Sequence, residues 1–381
     1  MDKLIKTLIE LRDHVFKVEH GIKHYAVVRN FDGTSFEKFG FKGLPIFRSF
    51  TRIGKNRKLG VFHDRTFDMY RDNWMDFPTI IQAELGGEWQ EYNKVACVHV
   101  GWCNLNCWYC YVEECLRSAC FHCIFKETNK CLRKGPITAT VTAREVIDPF
   151  AEVYEKEGIK VLRVTGGEPF LAPDFIIEIC ELLREYGLSE KTYVWTETNL
   201  TPFLKIPEKD VRVIEFWEET EGNWSWKELC SFKNMAVHAC FHGINECSFY
   251  HNTGYELSDF NMLIDACGFL LQSKIRVYPT IGAEVSPPEA LSDFFHKLCS
   301  ISEYFPLLIA VRSYDFAYEP ILKRVRALLG REQGSFPSFS YLSNKSLIID
   351  LWDALLYQKY KKHYTEIPRE RVYNLIEGRS L

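Results

Sequence analysis

The chain has 381 residues, 46% of them hydrophobic and 26% charged, with a formal net charge of −4. That length suits one large domain, or one domain with a smaller appendage, and the composition supplies both a core and a wetted surface. So small a net charge excludes any whole-molecule argument for binding nucleic acid or a membrane.

The opening stretch MDKLIKTLIELRDHVFKVEH places Leu4, Ile5, Leu8, Leu11, Val15 and Phe16 at roughly helical spacing, which predicts an amphipathic surface helix. Charges interrupt it too often for a secretory leader. No apolar run elsewhere nears the roughly 18–20 residues that span a bilayer, so the expectation is a cytoplasmic chain without a membrane span. Residues 21–92 read as short β segments broken by Gly, Asn, Asp and Pro turns. From Val95 the pattern changes to strands alternating with helices. Strands are expected at 95–102, 161–167, 192–199, 235–243, 275–282 and 307–314. Helices are expected at 142–148, 174–187, 259–274, 286–300 and 342–362. Thr142 and Glu145 form a capping box, with Pro149 expected to bend or end that helix. Ser286 is expected to cap the fourth helix, with Glu289 closing its box.

Six strand–helix units with near-continuous apolar strands imply a parallel sheet. Six are too few for a closed eight-unit barrel. The expected fold is therefore α/β, an open partial (β/α)6 barrel with an N-terminal α+β accessory region and a C-terminal helical tail. The expected divisions are 1–92, 93–318 with a Cys-rich insert at 111–135, and 319–381.

Fourteen cysteines need a reason. In a reducing compartment, clustered thiols more often bind metal than pair as disulfides. Cys180, Cys230, Cys240, Cys247, Cys267 and Cys299 fall in apolar stretches and read as plain buried cysteines. Cys103, Cys107 and Cys110 stand apart. Their C-x3-C-x2-C loop follows the first strand, at the edge where parallel α/β folds place chemistry. Three thiolates leave one corner of a four-ligand metal site open to a cofactor or substrate; a structural zinc knuckle is the plainer alternative. The next strand ends in VTGGEP, Val164 to Pro169, whose two glycines let the main chain approach a ligand closely.

Together, the C-x3-C-x2-C loop, with Tyr109 before its last cysteine, and the GGEP stretch resemble the radical S-adenosylmethionine (radical SAM) superfamily over about residues 95–315. Within it they resemble the pyruvate formate-lyase activating enzyme-like group. The resemblance implies a [4Fe–4S] cluster on Cys103, Cys107 and Cys110, with S-adenosylmethionine chelated at the fourth iron. It further implies reductive cleavage to a 5′-deoxyadenosyl radical that takes a hydrogen from substrate, and an electron donor such as ferredoxin or flavodoxin. Gly166, Gly167 and Glu168 resemble the stretch that meets the methionine amino group. Glu197 and Asn199 of TETN sit where the family often binds ribose, and Arg312 can fork onto the methionine carboxylate.

Cys115, Cys120, Cys123 and Cys131 continue the run as C-x4-C-x2-C-x7-C. Four further ligands can hold a second iron–sulfur cluster or a structural zinc, or bind nothing. Nine basic residues from Lys38 to Arg71, opposed by Asp64 and Asp68, interleave with Phe41, Phe47, Phe50 and Phe62. Such a surface can take RNA by phosphate contact and base stacking, and RNA modification is the slightly favoured reading. A protein or peptide substrate, in the manner of glycyl-radical activases, is the alternative; an iron–sulfur electron carrier ranks below both.

Overall fold

The computed structural model describes residues 17–19, 22–24, 26–29, 51–53, 59–61, 77–92, 95–110, 112, 138–206, 211–212, 226–282, 287–312, 321 and 338–379. The expected helix over residues 1–16 and the insert thiols Cys115, Cys120, Cys123 and Cys131 lie outside the described residues.

In the N-terminal stretch, β1 (Lys17–Glu19) and β2 (Ile22–His24) form an antiparallel pair. So do β4 (Thr51–Ile53) and β5 (Leu59–Val61). Strand β3 (Ala26–Arg29) pairs antiparallel with β7 (Thr138–Val141), across the expected division at residue 92. A helix, α1 (Phe77–Leu85), interrupts the expected β region. Ile80 and Ile81 are wholly buried there and Leu85 packs on the same core. The β-branched pair reads locally as strand, and burial of one helical face overrides that preference.

The main sheet holds β6 (Val95–His99), β8 (Val161–Thr165), β9 (Tyr193–Thr198), β12 (Met235–Cys240), β13 (Arg276–Gly282) and β14 (Ala310–Arg312). Between β9 and β12 a short antiparallel pair, β10 (Lys205–Ile206) and β11 (Val211–Arg212), stands apart from it. The order across the main sheet is β14-β13-β12-β9-β8-β6, and every neighbour is parallel. Spatial order follows chain order without reversal. Each crossover thus steps one strand further in the same direction, which makes an open barrel-like sheet and not a doubly wound one. The helices are α2 (Ala143–Glu157), α3 (Pro173–Glu185), α4 (Trp226–Cys230), α5 (Glu246–Thr253), α6 (Asn261–Gln272), α7 (Pro288–Ile301), α8 (Ser338–Tyr360) and α9 (Val372–Ile376). Among the described residues, no helix is long and apolar enough to cross a membrane.

The Thr142–Glu145 capping box is formed: Glu145 N donates to Thr142 Oγ1 at 3.2 Å, and Thr142 N to the Glu145 carboxylate at 2.8 Å. Pro149 does not end α2, which runs on to Glu157 and stops at Gly158 in the left-handed region. A proline removes one N–H, while Val146, Ile147 and Phe150 on the buried face hold the turns on either side. Helix α7 starts at Pro288 behind Pro287 with no side-chain cap; Ser286 lies outside the described residues. The last strand starts later than expected, because residues 305–308 form a 3-10 turn before it; residues 313 and 314 of the expected strand lie outside the described residues.

The register separates two faces of the sheet. Cys97, Arg163 and Trp195 align across β6, β8 and β9, and Glu197, His238 and Tyr278 align across β9, β12 and β13. The alternate positions, such as Val98, Val164, Val194 and Val237, are aliphatic, the face required by the apolar stripes of α2 and α3. Trp195 stacks with His238 at 6.3 Å and with Tyr278 at 5.7 Å between ring centroids.

Helix α1 and the C-terminal segment close the N-terminal edge of the sheet. Tyr193 Oη donates to Glu84 of α1 at 3.0 Å, and Arg276 stands 3.6 Å from the same carboxylate. Burial pushes the Glu84 carboxyl up, and the Arg276 guanidinium opposes this. From the C-terminal segment, Tyr373 Oη bonds to Val277 N and O, and the Arg369 guanidinium donates to Leu308 O at 3.0 Å. With this edge sealed by structural contacts, the opposite, C-terminal edge is the one left for chemistry.

Candidate active site

The chain leaves β6 at its C-terminal end and turns through Trp102, whose φ of 60° is in the left-handed region. A non-glycine residue there carries a cost on the order of 1 kcal/mol, and the neighbouring strand compensates. Val100 N donates to Thr165 O at 2.7 Å and Glu168 N to Trp102 O at 2.9 Å. Gly167 is what allows this approach. A Cβ on it would stand 1.9 Å from Trp102 O and 2.6 Å from Gly101 O. At Gly166, φ is 105° and a Cβ would meet His99 and Val100 O at 3.1 Å. The atoms such a Cβ would meet belong to the chain itself, the end of β6 at Gly166 and the start of the cysteine loop at Gly167.

That loop carries Cys103, Cys107 and Cys110, none of them in a disulfide. Its far side rests on the end of α5: Asn106 N donates to Thr253 O at 3.1 Å and Trp108 N to Asn252 O at 3.2 Å. The Asn252 side chain accepts from Trp108 Nε1 at 3.1 Å and donates to His242 O at 3.0 Å. Cys107 is nearly buried, and Cys103 and Cys110 are partly exposed. Cys107 Sγ lies 3.7 Å from His242 Nδ1. Tyr109 Oη lies 2.5 Å from the same nitrogen, with the two rings stacked at 6.0 Å. Burial draws the His242 imidazole down to about 4, so it is neutral at pH 7.

The expected cofactor-contact residues divide into two groups. Glu168 is buried and accepts from Phe170 N at 3.1 Å, Thr198 Oγ1 at 2.9 Å and Asn199 N at 2.6 Å. Burial pushes it up to about 8 against those three donors. Its carboxylate thus ties the end of β8 to the end of β9. Asn199 accepts from Thr201 N at 3.0 Å through Oδ1; its Nδ2 donates to Asn104 Oδ1 at 2.9 Å and points to Cys103 Sγ at 3.7 Å. Asn104 in turn donates to Thr201 Oγ1 at 2.8 Å. Glu197 lies on the polar face, where Arg163 Nε donates to it at 3.0 Å and Thr165 Oγ1 bonds its other oxygen. Arg312 ends β14 with only its backbone described. Cys103, Cys107, Cys110, Tyr109, Gly166, Gly167, Glu168 and Asn199 therefore gather around one loop, and Glu197 stands beside them on β9.

Sequence reasoning missed Asn104, Arg163, His242 and Asn252. The expected strand 235–243 ran through His242 and hid the turn that holds it. Helix α5 went unseen because ECSFYHNT has no apolar stripe. Cys247, expected to be buried, is exposed on that helix.

Three thiols on one backbone-anchored loop are a donor set that an iron–sulfur cluster can take, one thiolate to each of three irons. Among the described residues, no group of three or more His, Cys, Asp or Glu side chains could hold a single metal ion.

Residues 97–215 match the Radical SAM superfamily model. An 88-residue stretch is 34% identical to molybdenum cofactor biosynthesis protein 1 of Homo sapiens, covering 23% of this chain and 11% of that protein. The chain thus spans about a tenth of that curated relative. Among solved structures, anSMEcpe with bound AdoMet is similar at 15% identity and a TM-score of 0.42, over 68% of this chain and 62% of that one. SuiB of Streptococcus suis bound to precursor peptide SuiA gives 11% and 0.37, over 58% and 39%. A radical SAM methyltransferase from Sphaerobacter thermophilus gives 14% and 0.36, over 63% and 64%. No substrate follows from likenesses of this size. What these comparisons support is a match to the Radical SAM superfamily over residues 97–215 of this chain.

Proposed function

We propose that Cys103, Cys107 and Cys110 ligate a [4Fe–4S] cluster whose remaining iron takes S-adenosylmethionine, and that the enzyme acts on a macromolecular substrate. The observation that carries this reading is the cysteine loop itself. It is clamped by Gly167 under Trp102 on one side and by Asn252 and Thr253 on the other, at the C-terminal edge of six parallel strands. When bound, cluster and cofactor supply one-electron reductive cleavage of a sulfonium C–S bond and removal of a hydrogen atom from substrate. An external one-electron donor of the ferredoxin or flavodoxin kind completes the cycle.

The chain's own residues bind and orient. By the resemblance, the Gly166–Gly167 main chain and Arg312 would receive the amino acid end of the cofactor. The Glu168 carboxylate is spent on Phe170, Thr198 and Asn199, so its part is to hold the strand ends in register. Asn199 braces the first thiol through Asn104 and Cys103. Arg163 and Thr165 each take one oxygen of the Glu197 carboxylate and fix it on the sheet's polar face. The Tyr109 ring, next to Cys110 in the chain, stacks on His242.

Anaerobic reconstitution should give near four irons per chain, or near eight if Cys115, Cys120, Cys123 and Cys131 hold a second cluster and not zinc. Dithionite with S-adenosylmethionine should release 5′-deoxyadenosine, and Cys107→Ala should abolish it. A sample holding zinc and no iron, or cleavage that survives Cys107→Ala, refutes the reading. For the substrate, the basic and aromatic run from Lys38 to Arg71 favours RNA. Binding of bulk RNA that weakens steeply with salt supports it. Salt-independent capture of a peptide would favour the protein-substrate reading instead. The cytoplasm, where thiolates stay reduced, is the compartment this chemistry requires.

A further inference from the structure

We propose that His242 is a positioning residue for the cysteine loop, its Nδ1–H donating to the ligating Cys107 sulfur and to the Tyr109 oxygen. The inference rests on the cluster assignment of Cys103, Cys107 and Cys110 and deepens it. His242 follows β12 and reaches the loop from a strand three places away from β6, past β8 and β9. Its φ of 56° is one that a branchless or Asn residue adopts more readily than histidine. That conformation is held by Asn252, which donates to the His242 carbonyl while accepting from Trp108 of the cysteine loop. One side chain thus fixes both partners of the contact.

Nδ1 lies 3.7 Å from Cys107 Sγ and 2.5 Å from Tyr109 Oη. A ligating thiolate offers lone pairs and no hydrogen, so the hydrogen between it and Nδ1 must come from the ring. The Tyr109 oxygen can accept from the same N–H, and its own hydrogen then turns outward. An N–H aimed at a ligating sulfur withdraws charge from the cluster, and hydrogen bonds to the sulfurs are among the groups that set an iron–sulfur potential. His242 is therefore placed to make the cluster easier to reduce and to hold the Tyr109 ring at one angle.

Two substitutions separate this role from a structural one. His242→Gly removes the ring and suits the backbone angle. His242→Asn also tolerates that angle, and places an amide N–H near the position of Nδ1. Wild-type and variant chains are reconstituted anaerobically, assayed for iron, and titrated with reductant while the reduced cluster is followed by electron paramagnetic resonance. The expected result is a more negative midpoint and an altered spectrum for His242→Gly, with His242→Asn returning toward wild type. Loss of iron in His242→Gly but not in His242→Asn supports the same conclusion. Equal midpoints in all three, or equal shifts or equal iron loss in both variants, overturn it. A wild-type chain that takes up no iron sinks the cluster assignment itself, a different outcome from any of these.

Discussion

Replacing Gly167 with alanine is the sharpest test of how the site is built. The added Cβ would stand 1.9 Å from Trp102 O, 2.6 Å from Gly101 O and 2.8 Å from Trp102 C, against the 3.0 Å below which real Cβ contacts essentially do not fall. All three atoms are backbone, so no side chain can swing aside. The cysteine loop or the β8 end must move by on the order of 1 Å, and overpacking of this kind costs about 1–3 kcal/mol. The displacement would also break the 2.9 Å bond from Glu168 N to Trp102 O. Gly187→Ala is the control: its φ is 66° and nothing stands within 4 Å, so it carries backbone strain of about 1–2 kcal/mol and no collision. Urea denaturation of both apo variants gives the stability changes, and anaerobic reconstitution gives iron per chain. Similar losses of stability are expected, with iron uptake lost only in Gly167→Ala, because only that change moves the residue next to Cys103. Full iron uptake by Gly167→Ala with an unaltered spectrum would refute the argument that this glycine seats the loop.

Three further outcomes follow from particular contacts. Burial holds Glu168 at about 8, above its ordinary 4.5, so the folded state keeps a proton that the unfolded chain has lost between those values. Stability should therefore fall as pH rises through that window, by up to about 1.4 kcal/mol per pH unit. Glu168→Gln should flatten the slope in denaturation series from pH 5 to 8, and parallel slopes would count against a protonated Glu168. Tyr373→Phe should cost about 1–3 kcal/mol, because Val277 lies below the Thr280–Gly282 stretch where β14 pairs, and Tyr373 Oη takes the place of a strand there; an unchanged urea midpoint would show water serving as well. Replacing Cys120 and Cys123 together should leave the signal of the first cluster intact if the two thiol sets are separate, with iron falling by about half only where the second set holds a cluster of its own; loss of both signals would mean the sets are not separate.

The sheet was legible in the sequence because each of its strands is buried on both sides and reads as a near-continuous apolar run. Valines and alanines at 95–98, 161–164 and 235–239 carry that signal without knowledge of their neighbours. The cysteine loop and the GGEP stretch were legible because their spacing is short and local. What stayed hidden depends on partners far apart in the chain. Arg163 reaches Glu197 across 34 residues, Asn104 reaches Asn199 across 95, and Tyr109 reaches His242 across 133. None of these side chains is unusual in its own window, so no local pattern marks it. Helix α5 failed for a related reason. Its residues are chosen for the bonds that Asn252 and Thr253 make to the loop, and so they lack the apolar stripe by which a helix is recognised.

The same separation explains why several polar residues at strand ends are poor candidates for direct catalysis. A carboxylate that must accept a proton or a ribose hydroxyl needs an open oxygen. Glu168 has given both of its oxygens to the chain, one to Phe170 and Thr198 and the other to Asn199. Its three bonds join the end of β8 to the end of β9 directly beneath the loop, and Asn199 passes the constraint to Asn104 and Cys103. On the other side, Asn252 passes the position of the β12 turn to Trp108 and, through His242, to Cys107. The first two thiols are thus set from opposite strands by hydrogen bonds within the chain.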